Sequence, residues 1–197
     1  MSRTIGFDLD MTLIDSRPGI RAVYEELSRQ TGVFIDAELA VSRLGPPLTW
    51  ELEHWFPAEA VPEMFTRYRA MYPEIAVPRV LAMPGAAEAL EAAGRLGRAI
   101  VITAKAGPNA ALHLDHLGLP HDAVIGDAWR EQKAEVLVRE GADTYVGDHV
   151  HDMDAARIAG VAGIGVPSGP CSADELREAG AAHVVSSLLE VPALLAA

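Results

Sequence analysis

Six short runs of apolar, β-favouring residues are spread along the chain: Thr4–Phe7, Ala99–Thr103, Ala123–Ile125, Thr144–Gly147, Gly163–Val166 and His183–Val185. Most are apolar throughout instead of alternating, which is the pattern of strands covered on both faces. A parallel sheet with helices on either side buries strands in that way, and helical stretches do separate the runs. Gly107-Pro108-Asn109 opens one such stretch with proline in its first turn, and Gly118 closes it. Ser172-Ala173-Asp174-Glu175 and Ser187-Leu188-Leu189-Glu190 have the form of capping boxes, and Gly160 and Gly180 stand where C-caps belong. The expectation is an α/β protein with a Rossmann-like three-layer core around a parallel sheet.

The rhythm breaks once. From Phe7 to Ala99 there is no comparable buried run, far more chain than one crossover helix needs. The stretch from Ser16 to Ala82 reads as helical, with Ile20, Val23, Tyr24 and Leu27 at i, i+3, i+4, i+7 spacing. Pro46-Pro47, Pro57, Pro62, Pro73 and Pro78 punctuate the rest. Residues 16–82 are therefore expected to form a small α-helical domain inserted after the first strand, and residues 1–15 and 83–197 the core. Eight of the eleven aromatic residues fall in the insert, enough to pack a small core of its own, with some left to face a ligand held against the main body.

At 197 residues, 50% of them hydrophobic, the chain has material for a full core and is not a disordered or repetitive protein. A net charge of −12 without any run of lysine or arginine repels a nucleic-acid backbone, so a nucleic-acid partner is not expected. The single cysteine, Cys171, can form neither an internal disulfide nor a zinc framework. The N-terminus turns acidic at Asp8 before any signal-like apolar region, and no apolar run approaches the roughly 20 residues of a membrane span. A soluble, cytoplasmic protein with no membrane partner is expected, either monomer or homodimer.

In an open α/β sheet, ligands bind beyond the carboxyl ends of the strands. Here those ends carry Asp8-Leu9-Asp10-Met11-Thr12, Thr103, and Asp148 followed by Asp152. Acidic side chains gathered on one rim repel one another unless a hard cation joins them, and Mg²⁺ takes such oxygen ligands. Lysine is rare: only Lys105 and Lys133 among sixteen basic residues. A compact ammonium suits a point charge against phosphate. Lys133 lies near the expected rim, whereas Lys105 reads mainly as an exposed loop charge.

These residues resemble the signature of the haloacid dehalogenase superfamily, most closely its phosphoglycolate phosphatase-like branch, over about Thr4 to Leu195. Asp8-Leu9-Asp10-Met11-Thr12 is similar to motif I, Thr103 to motif II, Lys133 to motif III, and Gly147-Asp148-His149-Val150-His151-Asp152 to motif IV. The insert resembles the family's mobile C1 cap. The resemblance implies a phosphatase on a small phosphorylated metabolite, of the phosphoglycolate or sugar-phosphate type. Asp8 would be the nucleophile that forms an aspartyl-phosphate. Asp10 would protonate the leaving oxygen and then deprotonate water. Mg²⁺ would be held by the Asp8 carboxylate, the Asp10 carbonyl and Asp148, with Asp152 close by or acting through water. Thr103 and Lys133 would bind the phosphoryl oxygens, with backbone amides near Leu9 and Ala104.

Met11 and Ala104 depart from the commoner glycine and polar residues at their positions. In the cap, Arg43-Leu44-Gly45-Pro46-Pro47-Leu48 resembles the family's substrate-specificity loop. Arg43 and Gly45 are candidates for substrate contact, Arg43 as partner of a second anionic group or simply as a solvated arginine. His149 and His151 are read as solvent-facing loop residues in preference to metal ligands, His113 and His116 as helix-surface residues, and Cys171 as structural. Two other functions compete: a phosphotransferase resembling β-phosphoglucomutase, and a non-enzymatic phospho-aspartate signalling module. Receiver modules of the latter kind lack both the long insert and the second aspartate, Asp10.

Overall fold

A computed structural model of the chain describes residues 2–196. Eight strands are present: β1 (Arg3–Phe7), β2 (Ile14–Asp15), β3 (Leu81–Ala82), β4 (Gly97–Ile102), β5 (Ala123–Ile125), β6 (Thr144–Gly147), β7 (Ala162–Gly165) and β8 (His183–Val184). Ten α-helices accompany them. Four, α1 (Arg17–Thr31), α2 (Ala37–Ser42), α3 (Leu48–Leu52) and α4 (Val61–Ile75), lie between β2 and β3. The others are α5 (Ala86–Leu96), α6 (Gly107–Leu117), α7 (Glu131–Arg139), α8 (Val150–Ala159), α9 (Ala173–Glu178) and α10 (Val191–Leu195).

Six strands form one parallel sheet in the order β5-β4-β1-β6-β7-β8. The chain starts in the middle of the sheet and builds outward first on one side, then on the other, so the strand order reverses at β1. That is where a crevice opens beyond the strand ends. The apolar runs are explained by the layering. In β4, Ala99 and Val101 point into one core with Leu90, Ala93 and Leu114, while Ile100 and Ile102 point into the opposite core with Leu137, Tyr145 and Ala155. Successive side chains alternate faces, and both faces are dry. Gly6 lets Tyr145 and Leu137 come up against β1, since a Cβ there would meet the Tyr145 ring at 2.9 Å.

The four-helix stretch packs around its own apolar cluster of Ile20, Val23, Tyr24, Leu27, Leu52, Phe56, Met64, Tyr68 and Tyr72. It is tied to the sheet by a two-residue antiparallel pairing of β2 with β3, Ile14 opposite Ala82 and Asp15 opposite Leu81. So Leu81 and Ala82, read from sequence as part of the helical stretch, are extended instead. Helix ends follow their residues: Gly118 and Gly160 close α6 and α8 in the left-handed conformation, and Ser172 with Glu175 forms a complete capping box on α9. The Ser187 box is not formed, because Glu190 Oε1 accepts from Ser186 N–H and hydroxyl instead. Among the described residues, no helix is long and apolar enough to cross a membrane.

Candidate active site

Three neighbouring strand ends build the site. β1 runs into Asp8, β4 into Thr103 and β6 into Asp148, and β4 and β6 flank β1. Asp8, Asp148 and Asp152 bring carboxylate oxygens within 4.8 Å of one another, and all three are buried. Asp152 comes from the first turn of α8. Its Oδ2 accepts the His149 backbone N–H at 3.1 Å, which caps the helix, while Oδ1 accepts the Lys133 ammonium at 2.6 Å and the Tyr145 hydroxyl at 3.4 Å. Lys133, in the first turn of α7, also donates to Asp8 Oδ1 at 2.7 Å. Thr12 Oγ1 donates to Asp148 Oδ1 at 2.7 Å. Glycine is required beside both motif IV carboxylates: a Cβ on Gly169 would collide with Asp148 Oδ2, and one on Gly147 with Asp152. Met11 carries a φ of 64°, which explains why glycine suits that position of motif I.

The electrostatics show negative charge in excess. Burial, reinforced by Asp152 and Asp10 and opposed by Lys133, pushes the Asp8 carboxyl up to about 7. Burial and then the Asp8 and Asp152 charges push Asp148 well above the usual carboxylate range. Lys133 stays charged: burial would lower it, but Asp152 and Asp8 outweigh that and raise it well above its ordinary value. One ammonium among three buried carboxylates leaves a site that a hard divalent cation fits by charge and by donor type.

Thr103 is buried, and its Oγ1 accepts the Lys105 backbone N–H at 3.1 Å, so its own proton is free to point toward a ligand. Ala104 lines the same cavity, as do Arg43 and Gly45. Every candidate named from sequence thus reaches one cleft between the sheet and the four-helix stretch.

Four readings change. Lys105 is not an exposed loop charge; its ammonium is buried, 2.8 Å from Asp10 Oδ1 and 2.7 Å from the Tyr72 hydroxyl. His113 is not on the helix surface. It is fully buried, with Nε2 2.9 Å from the Tyr72 hydroxyl, and burial together with Lys105 lowers it to about 4. Since Lys105 can only donate, the Tyr72 proton goes to the neutral His113. Burial would raise Asp10, but the Lys105 charge and hydrogen bond outweigh it and hold its carboxyl below the usual range. Arg43 is not simply a solvated arginine: its Nε donates to Glu51 Oε2 at 3.1 Å, and the pair leaves the side chain 27% exposed. His116 is exposed as expected, whereas His149 and His151 are half-buried in the cavity wall, their ring centroids 4.5 Å apart.

The chain matches the profile of the haloacid dehalogenase-like hydrolase family over residues 5–157. It is 32% identical to a 5′-nucleotidase of Pseudomonas aeruginosa over 92% of this chain and 90% of that protein. It is 30% identical to a phosphoglycolate phosphatase of Caulobacter vibrioides over 96% and 89%. Its fold superposes on a haloacid dehalogenase-like hydrolase of Streptococcus pneumoniae with a TM-score of 0.85 at 22% identity, covering 98% of this chain and 97% of that one. A sheet that reverses at β1 over a buried carboxylate cluster, together with these matches, places the chain in the haloacid dehalogenase-like hydrolase family, among phosphatases of the phosphoglycolate phosphatase-like branch.

Proposed function

We propose that the protein is a Mg²⁺-dependent phosphatase that hydrolyses a small phosphorylated metabolite through an aspartyl-phosphate on Asp8. The observation that carries this is the placement of Asp8 and Asp10 two residues apart on the central strand end, each held by its own lysine. Asp8 Oδ attacks phosphorus as the bond to the ester oxygen breaks, and Thr103 and Lys133 hold the phosphoryl oxygens. An arriving phosphate dianion adds negative charge beside Asp10 and raises its proton affinity, so Asp10 can take up a proton and give it to the leaving oxygen. Once relieved of that proton it returns to the ionised form that Lys105 favours, ready to take a proton from the hydrolytic water.

Asp8 and Asp148, with the Asp10 carbonyl, would hold the metal. Asp152, whose oxygens already serve Lys133 and the α8 cap, stands behind them. When bound, Mg²⁺ offsets repulsion between the anionic nucleophile and the anionic phosphate. We read residues 16–82 as a cap that closes over substrate and excludes water, on the core of residues 1–15 and 83–197. The separate apolar cluster and the short β2–β3 link support that division. The names of the relatives, phosphoglycolate phosphatase and 5′-nucleotidase, span esters from a two-carbon acid to a nucleotide.

Phosphate release from a panel of phosphorylated metabolites tests the reading. Release should require Mg²⁺ and fall at least 100-fold with chelator; no release from any ester would overturn the assignment.

Metal binding should also show in stability. A carboxyl raised when folded contributes stability fully below its unfolded value near 3.8 and loses it as pH rises through about 7. The metal-free protein therefore carries a penalty at pH 8 on the order of a few kcal/mol that is absent at pH 4. Mg²⁺ removes it by pairing the carboxylate. Thermal unfolding should show a gap between Mg²⁺-loaded and metal-free protein that widens from pH 5 to pH 8; a pH-independent gap would contradict the carboxylate site.

A further inference from the structure

We infer that the site is built for phosphate monoesters of neutral, ring-bearing alcohols in preference to esters of hydroxy acids, with Trp50 and Trp129 recognising the ring. The inference rests on the phosphatase reading above and narrows its substrate class.

The cavity between the four-helix stretch and the sheet holds about 350 Å³. A two-carbon phospho-acid displaces roughly five waters at about 30 Å³ each, which leaves more than half of that space unfilled. Much of the remaining wall is apolar and aromatic, with Ile20, Tyr24, Leu44, Trp50, Phe65 and Trp129 among its side chains, interspersed with polar residues such as Asn109 and Gln132. Trp50 on α3 is 39% exposed, and Trp129, just ahead of α7, is half-buried. The two indoles thus come from opposite sides of the cleft, one from the insert and one from the core. Trp129 is set edge-on against His151, with centroids 5.7 Å apart. Each indole already has a neighbour, Trp50 the His54 ring at 4.3 Å and Trp129 the Arg130 guanidinium at 5.1 Å, and gains from a flat apolar occupant that takes its remaining exposed surface out of water.

Charge points the same way. Beyond the phosphoryl group that Lys133 meets, a second anionic group on the substrate would have to displace a carboxylate from its cation, because each lysine and arginine lining the cavity is paired. Lys133 serves Asp8 and Asp152, Lys105 serves Asp10, Arg69 meets Asp127 at 2.9 Å, and Arg43 grips Glu51. The last pair matters most, because Arg43 belongs to the loop first expected to read a carboxylate. Glu51 is 6% exposed and accepts the Trp55 indole N–H at 2.8 Å. Diverting Arg43 to a substrate would strip a buried carboxylate of its counter-charge. Its guanidinium lies 5.8 Å and 5.7 Å from the Trp50 and Trp55 ring centroids. In this arrangement the arginine braces indoles and has no anion of the substrate to meet.

The test compares kcat/KM for benzyl phosphate, uridine 5′-monophosphate and phosphoglycolate, all of which leave through a primary alkoxide, so leaving-group chemistry is matched. The ring-bearing esters should exceed phosphoglycolate by about tenfold or more, and whichever of the two is better identifies an aryl or a nucleoside source. Trp50→Ala and Trp129→Ala should each lower the ring-to-acid ratio by about tenfold, the scale of one ring stacking on an aromatic side chain. Trp→Phe at either site should retain most of it, which separates recognition from misfolding. A preference for phosphoglycolate, or a ring preference unmoved by both alanine variants, overturns the inference and leaves the phosphatase standing. Absence of release from all three and from the wider panel overturns both.

Discussion

Asp8→Asn should abolish phosphate release, by about 10⁴-fold or more in kcat, while the protein stays folded. The amide keeps the shape of the carboxylate and an oxygen for the Lys133 hydrogen bond at 2.7 Å, but it has no anionic lone pair to attack phosphorus. Stability should not suffer as it does when most buried ion pairs are broken. Asp8 is one of three crowded acids, its proton affinity already raised by burial, and Lys133 retains Asp152 as a partner. The Asn variant should therefore melt at or above the wild-type temperature without metal and gain less on adding Mg²⁺. Residual turnover near one-tenth of wild type would remove Asp8 from the nucleophile's role, since no other buried carboxylate is paired with Lys133 on the central strand end. Asp152, the ammonium's other partner, is committed to capping α8.

The parts of this site that were legible in the sequence are those governed by local rules. A strand covered on both faces must be apolar throughout, so its end is marked by the first polar residue, and Asp8, Thr103 and Asp148 stand at three such ends. Lys133 could be placed because its helix leads into the β6 strand. The misread residues make contacts between segments that no spacing rule connects, Lys105 and His113 across the boundary between insert and core and Arg43 within the insert. Lys105 meets Tyr72 from thirty-three residues away. Arg43 finds Glu51 across a loop and a short helix. For His113 a signal was available: Ala110, His113 and Leu114 fall at i, i+3 and i+4 and are all buried, so the histidine lies on the apolar stripe of α6. A polar residue on such a stripe needs a partner, and Tyr72 supplies it. The β2–β3 pairing has two residues per strand, too few for any periodicity to register. Thr12 was visible as a motif residue, but its hydrogen bond to Asp148 depends on a chain reversal after β1 that apolar pattern does not encode.

Lys133→Met separates what the site needs for chemistry from what it needs to fold. The lysine ammonium is the one positive charge joining Asp8 and Asp152, at 2.7 Å and 2.6 Å, and all three groups are buried. Methionine fills similar space but leaves two carboxylates facing each other without a counter-charge. Removing one partner of a buried ion pair costs about 3–5 kcal/mol. At roughly 2–4 °C per kcal/mol for a chain of this size, the melting temperature should fall by about 10 °C. Phosphate release should fall by about 10²–10³-fold as a preorganised cation is lost from the phosphoryl oxygens. The two losses respond differently to a second change. In Lys133→Met/Asp152→Asn one of the two stranded carboxylates is gone, Asp8 remains beside Asp148, and the amide oxygen can still accept the His149 N–H that starts α8. Stability should then return in part, by the share that the stranded Asp152 charge had cost, while turnover stays low because nothing has replaced the ammonium. If the double variant recovered activity along with stability, Lys133 would be a structural neutraliser of Asp152 and not a phosphate ligand. If neither recovered, the coupling would extend past this pair, most directly to Tyr145, whose hydroxyl bridges Ile102 O at 3.0 Å and Asp152 Oδ1 and whose ring lies 5.6 Å from the Lys133 ammonium.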